Sequence, residues 1–190
     1  MNYPELLLFP VFGLADYFLT LAGAVLREKK FGNHFKKDHY ELNPVWQSAI
    51  AEKKWFNPKL LLLTLIEIIV IIFVIAFGDI PEAIYQTLLG FYFVGYGILI
   101  GNHLRNILTF SHVNRKPAEI TGQVFMTHGL SLSMSLYELI IVLIPLTTIS
   151  LFAPSPFVMG ATINCALQIL AHVIWIWNDR RNQGNHHVLV

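Results

Sequence analysis

The sequence predicts an all-α membrane protein, a polytopic bundle of five transmembrane helices with one interfacial amphipathic helix. Three observations predict this class. Of the 190 residues, 55% are hydrophobic and only 13% are charged, whereas soluble domains carry about 25% charged residues. Five apolar runs each have the length needed to cross a bilayer, about 20 residues. All 13 Lys and Arg residues lie in two alternate connections, in the C-terminal tail or in the span ends that border these segments, as the retention of cations in the cytoplasm produces.

The distribution of cations also predicts the orientation. They follow the first, third and fifth runs, and none follows the second or fourth. We expect the N-terminus outside and the C-terminus inside, in a prokaryotic plasma (inner) membrane. Residues 1–190 would form a single transmembrane domain, with a basic cytoplasmic loop at 27–58 and a cytoplasmic tail at 178–190. Anionic lipids of the inner leaflet are expected partners of the basic loop, and nothing resembles a nucleic-acid-binding module.

The five predicted spans cover residues 3–26, 59–77, 80–108, 120–152 and 156–177. The third and fourth exceed the length that the hydrocarbon core requires, so we expect them to tilt, kink or project beyond it. In the long inner loop, Asn43 suits an N-cap and Pro44 suits the first helical position. A helix is therefore predicted over 45–56. Its Trp46 and Trp55, with neighbouring lysines, favour an interfacial position over an ordinary solvated one.

Polar side chains recur at helical intervals inside the spans. A polar group in hydrocarbon costs several kcal/mol unless it is paired or faces a cavity, and residues three and four apart share one helical face. We therefore expect the polar faces to turn inward and line a cavity open to the cytoplasm. Its expected lining residues are Asp16, Thr20, Glu41, Asn43, Asn102, His103, Asn106, His128, Glu138, Gln168 and His172.

Three histidines suggest a metal site. By helical rise, His103, His128 and His172 lie roughly 7 to 11 Å from the inner ends of their predicted spans. Imidazoles at one level could hold a divalent ion such as zinc or iron, and any two of them could ligate a haem. No compact ligand motif accompanies them. Hydrogen bonding between helices is the simpler explanation of each histidine taken alone.

Three carboxylates lie within the spans, and only one cation is placed to meet them. Asp16, Glu67 and Glu138 face Arg105 alone. Each carboxylate must therefore be protonated, hydrogen-bonded or close to a bound cation. Small residues on the third span allow close helix contact, either within the chain or between copies in a homo-oligomer. These residues are Gly90, Gly95, Gly97 and Gly101.

Three functions fit these features. The first is a permease-like or ligand-binding membrane protein that uses the polar cavity. The second is a metal-dependent membrane enzyme acting on a lipid or another hydrophobic substrate, with an activated water near Asp16 or Glu41. A serine nucleophile, Ser131 or Ser135 beside His128, is a weaker version of the second. The third is an accessory or scaffold subunit whose polar faces serve only helix packing.

One pattern resembles a family of small uncharacterised prokaryotic multi-pass membrane proteins. It consists of Asp16-x-x-x-Thr20 in the first span, Glu41-x-Asn43-Pro44 after it, an aromatic-to-Lys segment (Trp55-Phe56 to Lys59) leading into the second span, and the Gly101-Asn102 step in the third span. The resemblance covers about half of the chain. This chain departs from the family in a basic insert at 27–38, between the Thr and the Glu. The resemblance implies a membrane fold and marks Asp16, Thr20, Glu41, Asn43 and Pro44 as candidates, and it implies no particular activity.

Overall fold

The computed structural model describes residues 4–37, 40–78 and 80–186. Within these ranges the chain forms six α-helices, and five of them are long and apolar enough to cross a membrane. The predicted all-α, multi-pass membrane fold is thus confirmed. The helices are α1 (Leu8–Arg27), α2 (Gln47–Ala51), α3 (Pro58–Phe77), α4 (Glu82–Arg115), α5 (His128–Phe152) and α6 (Pro156–His186). Two short strands, β1 (Phe35–Lys37) and β2 (Val124–Met126), pair in parallel.

The long helices pack side by side in the order α3, α1, α4, α6, α5. The contact between α4 and α6 is the most extensive, and glycine makes it possible. A Cβ atom on Gly90 would collide with the carbonyl oxygen of Phe157, and one on Gly160 would collide with that of Thr87. Two backbones can approach this closely only where side chains are absent. Gly97 and Gly101 differ, because a Cβ atom on either would meet only open space.

Hydrophobicity located the spans better than it located the helix ends. α3 agrees with its prediction to within one residue. α4 continues to Arg115 and α6 to His186, well past the predicted ends at 108 and 177. At 1.5 Å per residue α4 is about 51 Å long, against a hydrocarbon core of about 30 Å. Its polar last turns therefore extend beyond the hydrocarbon, where a helix can continue without apolar side chains.

The fourth predicted span began too early. Its helix starts at His128 rather than at Ile120, because Thr127 is an N-cap whose hydroxyl accepts the amide of Leu130 at 3.2 Å. The apolar residues before it form β2 instead. Gly122, with φ of 81°, adopts a left-handed turn just before that strand. A short apolar run cannot be assigned to helix or strand from hydrophobicity alone.

The predicted interfacial helix over 45–56 is shorter than expected. Only Gln47–Ala51 is α-helical. The carbonyl of Asn43 accepts the amides of Trp46 and Gln47, so the capped turn that the sequence indicated precedes the helix. Ile50, 2% exposed, packs with Tyr17 of α1 and its neighbours. The short helix is thus held against the bundle, while Trp55 and Phe56 beyond it remain exposed.

The connections after α1 and α4 lie on the same side of the bundle. β1 and β2 come from these two connections, with Phe35 opposite Val124. Asn114 near the end of α4 joins them as well, because its amide nitrogen donates to the carbonyl of Leu26 at 2.8 Å. Its oxygen accepts the amide of Lys30 at 2.9 Å. The first two clusters of cations therefore share one side, as the predicted topology requires. Residues 1–3 and 187–190, at the predicted outer and inner termini, lie outside the described residues.

Candidate functional site

A cavity of about 570 Å³ lies between α1, α4, α5 and α6, under the segment 40–46. It brings together nine of the residues that the sequence predicted to meet. These are Asp16, Glu41, Asn43, Asn102, His103, Asn106, Glu138, Gln168 and His172. Thr20 stands directly behind the wall as a partner of His103, and His128 does not line the cavity.

The shape of the cavity follows from the packing of three helices. α4 and α5 both pack along α6, and within the described ranges no comparable packing joins α4 to α5. The space between them is the cavity. Phe91 and Tyr92 line the end of the cavity away from the basic loop, and Tyr92 stacks on Phe9 with ring centroids 4.2 Å apart. The close contact of α4 with α6 at Gly90 lies at the same end. The cavity is therefore closed by packed side chains at this end and extends toward the basic loop.

His103 joins α4 to α1 through a shared hydrogen bond. Its Nε2 lies 2.9 Å from Oδ1 of Asp16 and 3.0 Å from Oγ1 of Thr20. The Thr20 hydroxyl donates to the backbone carbonyl of Asp16 at 2.8 Å. Because that hydrogen is committed, the Thr20 oxygen must accept, so Nε2 of His103 carries a hydrogen. The same N–H serves the Asp16 carboxylate, which explains how this carboxylate is accommodated between helices.

His172 on α6 has the opposite arrangement. Its Nδ1 lies 2.9 Å from the carbonyl oxygen of Gln168, and its Nε2 lies 3.0 Å from the hydroxyl of Ser135 on α5. A carbonyl oxygen can only accept, so Nδ1 carries the hydrogen. In the neutral ring Nε2 then accepts the hydrogen of the Ser135 hydroxyl. The sequence had placed Ser135 near His128, whereas the structure pairs it with His172.

An ion pair crosses the gap between α4 and α5. Both nitrogens of the Arg105 fork donate to Glu138, at 3.0 and 3.4 Å. The side chains are 56% and 39% exposed, so this pair lies at an open edge of the cavity. The sequence anticipated that Arg105 would meet one of the carboxylates. The fork-to-fork geometry gives it a directional partner as well as a charge.

Glu41 reaches the cavity in spite of the basic insert that precedes it. The carboxylate of Glu41 accepts the amide of Asn43 at 2.6 Å, and Oδ1 of Asn43 accepts the amide of Val45 at 3.0 Å. These local bonds hold the Glu-x-Asn-Pro element in a turn at the inner end of the cavity. Tyr40 beside it packs against Gly23, and its burial raises the pKa of Tyr40 to about 12, an effect that the Asn106 amide partly opposes.

The structure does not bring His103, His128 and His172 together as the predicted metal site requires. Among the residues that the structure describes, no three His, Cys, Asp or Glu side chains form a group able to hold a metal ion. His103 and His172 each bond to their own partners, and His128 is the first residue of α5. The depth assigned to His128 was wrong because its helix starts eight residues later than the apolar run suggested. The haem alternative stays a prediction.

The sequence analysis did not predict several apolar residues of the cavity wall. These are Trp46, Leu99, Met134, Leu139 and Trp175. Aliphatic residues and tryptophan in a membrane span look lipid-facing by default, so composition gave no signal. For the pairing of Ser135 with His172, the sequence did contain a signal. The two residues lie at similar distances on either side of the short turn between α5 and α6, and an antiparallel hairpin places such positions opposite each other.

The family that the Asp-Thr and Glu-x-Asn-Pro elements resemble is not tested by any of the comparisons with known proteins. No family model matches the chain, and no curated protein and no solved structure matches it.

Proposed function

We propose that the protein binds a single-chain amphiphilic ligand in the cavity between α4 and α5. The proposal is supported by the lining of the cavity, which combines an apolar wall with charged residues at its open edge. Tyr92, Leu99 and Met134 are apolar or aromatic, whereas Arg105 and Glu138 place charges at the open edge. Ligand sites are commonly apolar concavities of about 300 to 1,000 Å³ with a few convergent polar groups. A cavity of about 570 Å³ has a suitable size.

The position of the cavity supports an amphiphile over a fully polar solute. Within the described residues, α4 and α5 both pack on α6 and have no comparable packing with each other. We infer that the gap between them is accessible from the side as well as from the basic loop. A molecule dissolved in the inner leaflet can enter such a gap without first leaving the membrane. Its polar group would remain near Arg105 and Asn106, and its chain would lie along the aromatic wall.

The permease-like reading requires one further step, which is the opening of the end away from the basic loop. The stacked rings of Phe9 and Tyr92 and the glycine contacts between α4 and α6 would have to separate. Binding needs no such change, so binding is the function proposed. The metal-dependent enzyme is less well supported, because the three histidines predicted to hold its metal do not form a group. The scaffold role stays a prediction.

Quenching of tryptophan by a brominated fatty acid tests the proposal. Trp175 lines the cavity, whereas Trp177, two residues on, is 61% exposed and does not line it. Two single-tryptophan variants are needed. One retains Trp175 after Trp46, Trp55 and Trp177 are changed to Phe, and the other retains only Trp177. Both are titrated with dibromostearate in detergent.

We expect quenching of Trp175 to saturate and to be reversed by unbrominated stearate. Quenching of Trp177 should rise in proportion to the brominated lipid, because that residue reports only on partitioning into the micelle. Met134→Phe in the Trp175 variant is a filling control that adds no second tryptophan, and it should weaken the saturable component. If both tryptophans respond alike, or neither responds, the cavity does not bind this class of ligand.

A further inference from the structure

We propose that Ser135 and His172 act as a nucleophile and general base that hydrolyse an acyl ester of an amphiphile. This inference rests on the proposed function, because the ester must occupy the same cavity. Both side chains line that cavity, and the Ser135 oxygen lies 3.0 Å from Nε2 of His172. A nucleophile within hydrogen-bond reach of a base that a third group orients is the arrangement that activates serine.

The Ser135 hydroxyl behaves differently from seven other hydroxyls inside the helices. Serine and threonine in helices usually donate to the carbonyl four residues earlier, which ties up the hydrogen. Several hydroxyls of this chain do so, namely those of Thr20, Thr87, Thr109, Ser131, Ser133, Thr148 and Thr162. Ser135 is directed across the helix interface to an imidazole instead.

The tautomer of His172 suits a general base. The Gln168 carbonyl accepts the hydrogen of Nδ1 at 2.9 Å and leaves the lone pair of Nε2 toward Ser135. In a serine triad a carboxylate orients the ring in this way. A backbone carbonyl fixes the tautomer equally well but supplies no negative charge. We therefore expect a slower enzyme than one that contains a carboxylate at this position.

Positive charge is available on the same wall. Glu138 follows Ser135 by three residues, so the two side chains are neighbours on one face of α5. Glu138 holds the guanidinium of Arg105 at 3.0 Å. This guanidinium is the group that we assign to the charge developing on the substrate carbonyl oxygen.

The reaction consumes one water molecule. As the Ser135 oxygen bonds to the ester carbonyl carbon, its proton passes to Nε2 of His172. The tetrahedral adduct then expels the alcohol, which takes that proton. Water repeats the sequence on the acyl-serine. One water proton goes to Nε2, the water oxygen bonds to the acyl carbon, and Ser135 leaves with the proton. The products are a fatty acid and an alcohol.

A fluorophosphonate probe with an alkyl chain tests the pair on the full chain in detergent. We expect the probe to label Ser135, which peptide mass spectrometry identifies, and we expect Ser135→Ala to abolish labelling. Ser133→Ala is the matched control. Ser133 lies two residues away on the same helix and does not line the cavity, and its hydroxyl donates to the Gly129 carbonyl at 2.9 Å, so labelling should be unchanged.

The pH profile separates a base from a merely structural histidine. In the native protein the labelling rate should rise as the imidazole loses its proton. His172→Gln should lower the rate by about 10²-fold or more, as loss of a general base does, and should flatten the profile. Hydrolysis of a p-nitrophenyl ester of dodecanoic acid should follow the same pattern in all the variants.

Two outcomes would overturn the inference. One is a native protein that is not labelled at Ser135 although dibromostearate quenches Trp175 saturably, in which case the binding function stands and the catalytic pair does not. The other is a His172→Gln variant that reacts as fast as the native protein. The quenching titration is done before any probe is added. If quenching of Trp175 does not saturate, the proposed binding function itself is contradicted.

Discussion

Single positions in this protein show how a membrane helix accommodates a polar side chain. His103 donates through Nε2 to Asp16 and Thr20, whereas His172 accepts through Nε2 from Ser135. The neighbouring groups set each tautomer, since a carbonyl or a committed hydroxyl leaves only one arrangement. Two histidines that look equivalent in the sequence therefore have different chemical capacities. The one that can accept a proton from a hydroxyl is His172.

The donor role of His103 gives a prediction about stability. His103→Leu removes the N–H that Asp16 and Thr20 share, so a polar group is left unsatisfied between helices, at a cost of about 1–3 kcal/mol. His103→Gln keeps an amide N–H and should cost less. Thermal unfolding can be followed with a thiol-reactive dye, because Cys165 is the single cysteine and is 0% exposed. Equal losses in the two variants would contradict the assigned donor.

Tyr40 gives a prediction about pH. Its folded pKa of about 12 lies above the ordinary value of 10.0, because burial penalises the phenolate. Between these two values the folded state retains a proton that the unfolded state has lost, so stability is present below pH 10 and falls as pH rises toward 12. In Tyr40→Phe this part of the decline should be missing. The difference between the two unfolding curves against pH measures it, and identical curves would contradict the assignment.

Helix contacts depend on glycine at some positions and not at others. Gly160→Ala places a Cβ atom against the Thr87 carbonyl, and overpacking of this kind costs about 1–3 kcal/mol. Gly101→Ala is the matched control, because the added atom meets open space and alanine favours helix by about 1 kcal/mol. We expect Gly160→Ala to lower the unfolding temperature, because α4 and α6 must move apart to accommodate the added atom. A destabilised Gly101→Ala variant would instead indicate that its face is covered by a second copy.

The spans, the helix ends and the cavity lining were not equally predictable from the sequence. The five spans were predictable because hydrophobic length and cation placement act on each segment separately. Helix ends depend on local capping by residues such as Thr127. The apolar residues before it, such as Val124, made the predicted span begin too early. The polar part of the cavity lining was largely predictable, since Asp16, His103 and His172 had to face protein. Their partners were not, because helix order and register arise from packing, for example at Gly160, and no periodicity encodes them.

At the scale of the whole molecule, the central feature is that α4 and α5 both pack on α6 and leave a gap between them. α6 packs against both helices, and the Arg105–Glu138 pair bridges the gap between them. The packing of each helix on α6 leaves this gap, and the same geometry places the cavity between α4 and α5 and toward the basic loop.

The most direct test of the account is one-sided access of water to the cavity. In a Cys165→Ala background, single cysteines replace Met134 in the cavity, Ile141 on the outward face of the same helix, and Asn33 in the basic loop. Sealed vesicles are treated with a charged, membrane-impermeant thiol reagent from either side. We predict that Met134→Cys reacts only from the side on which Asn33→Cys reacts, and that Ile141→Cys reacts from neither. Reaction of Met134→Cys from the opposite side, or from no side, would contradict a cavity that opens toward the basic loop.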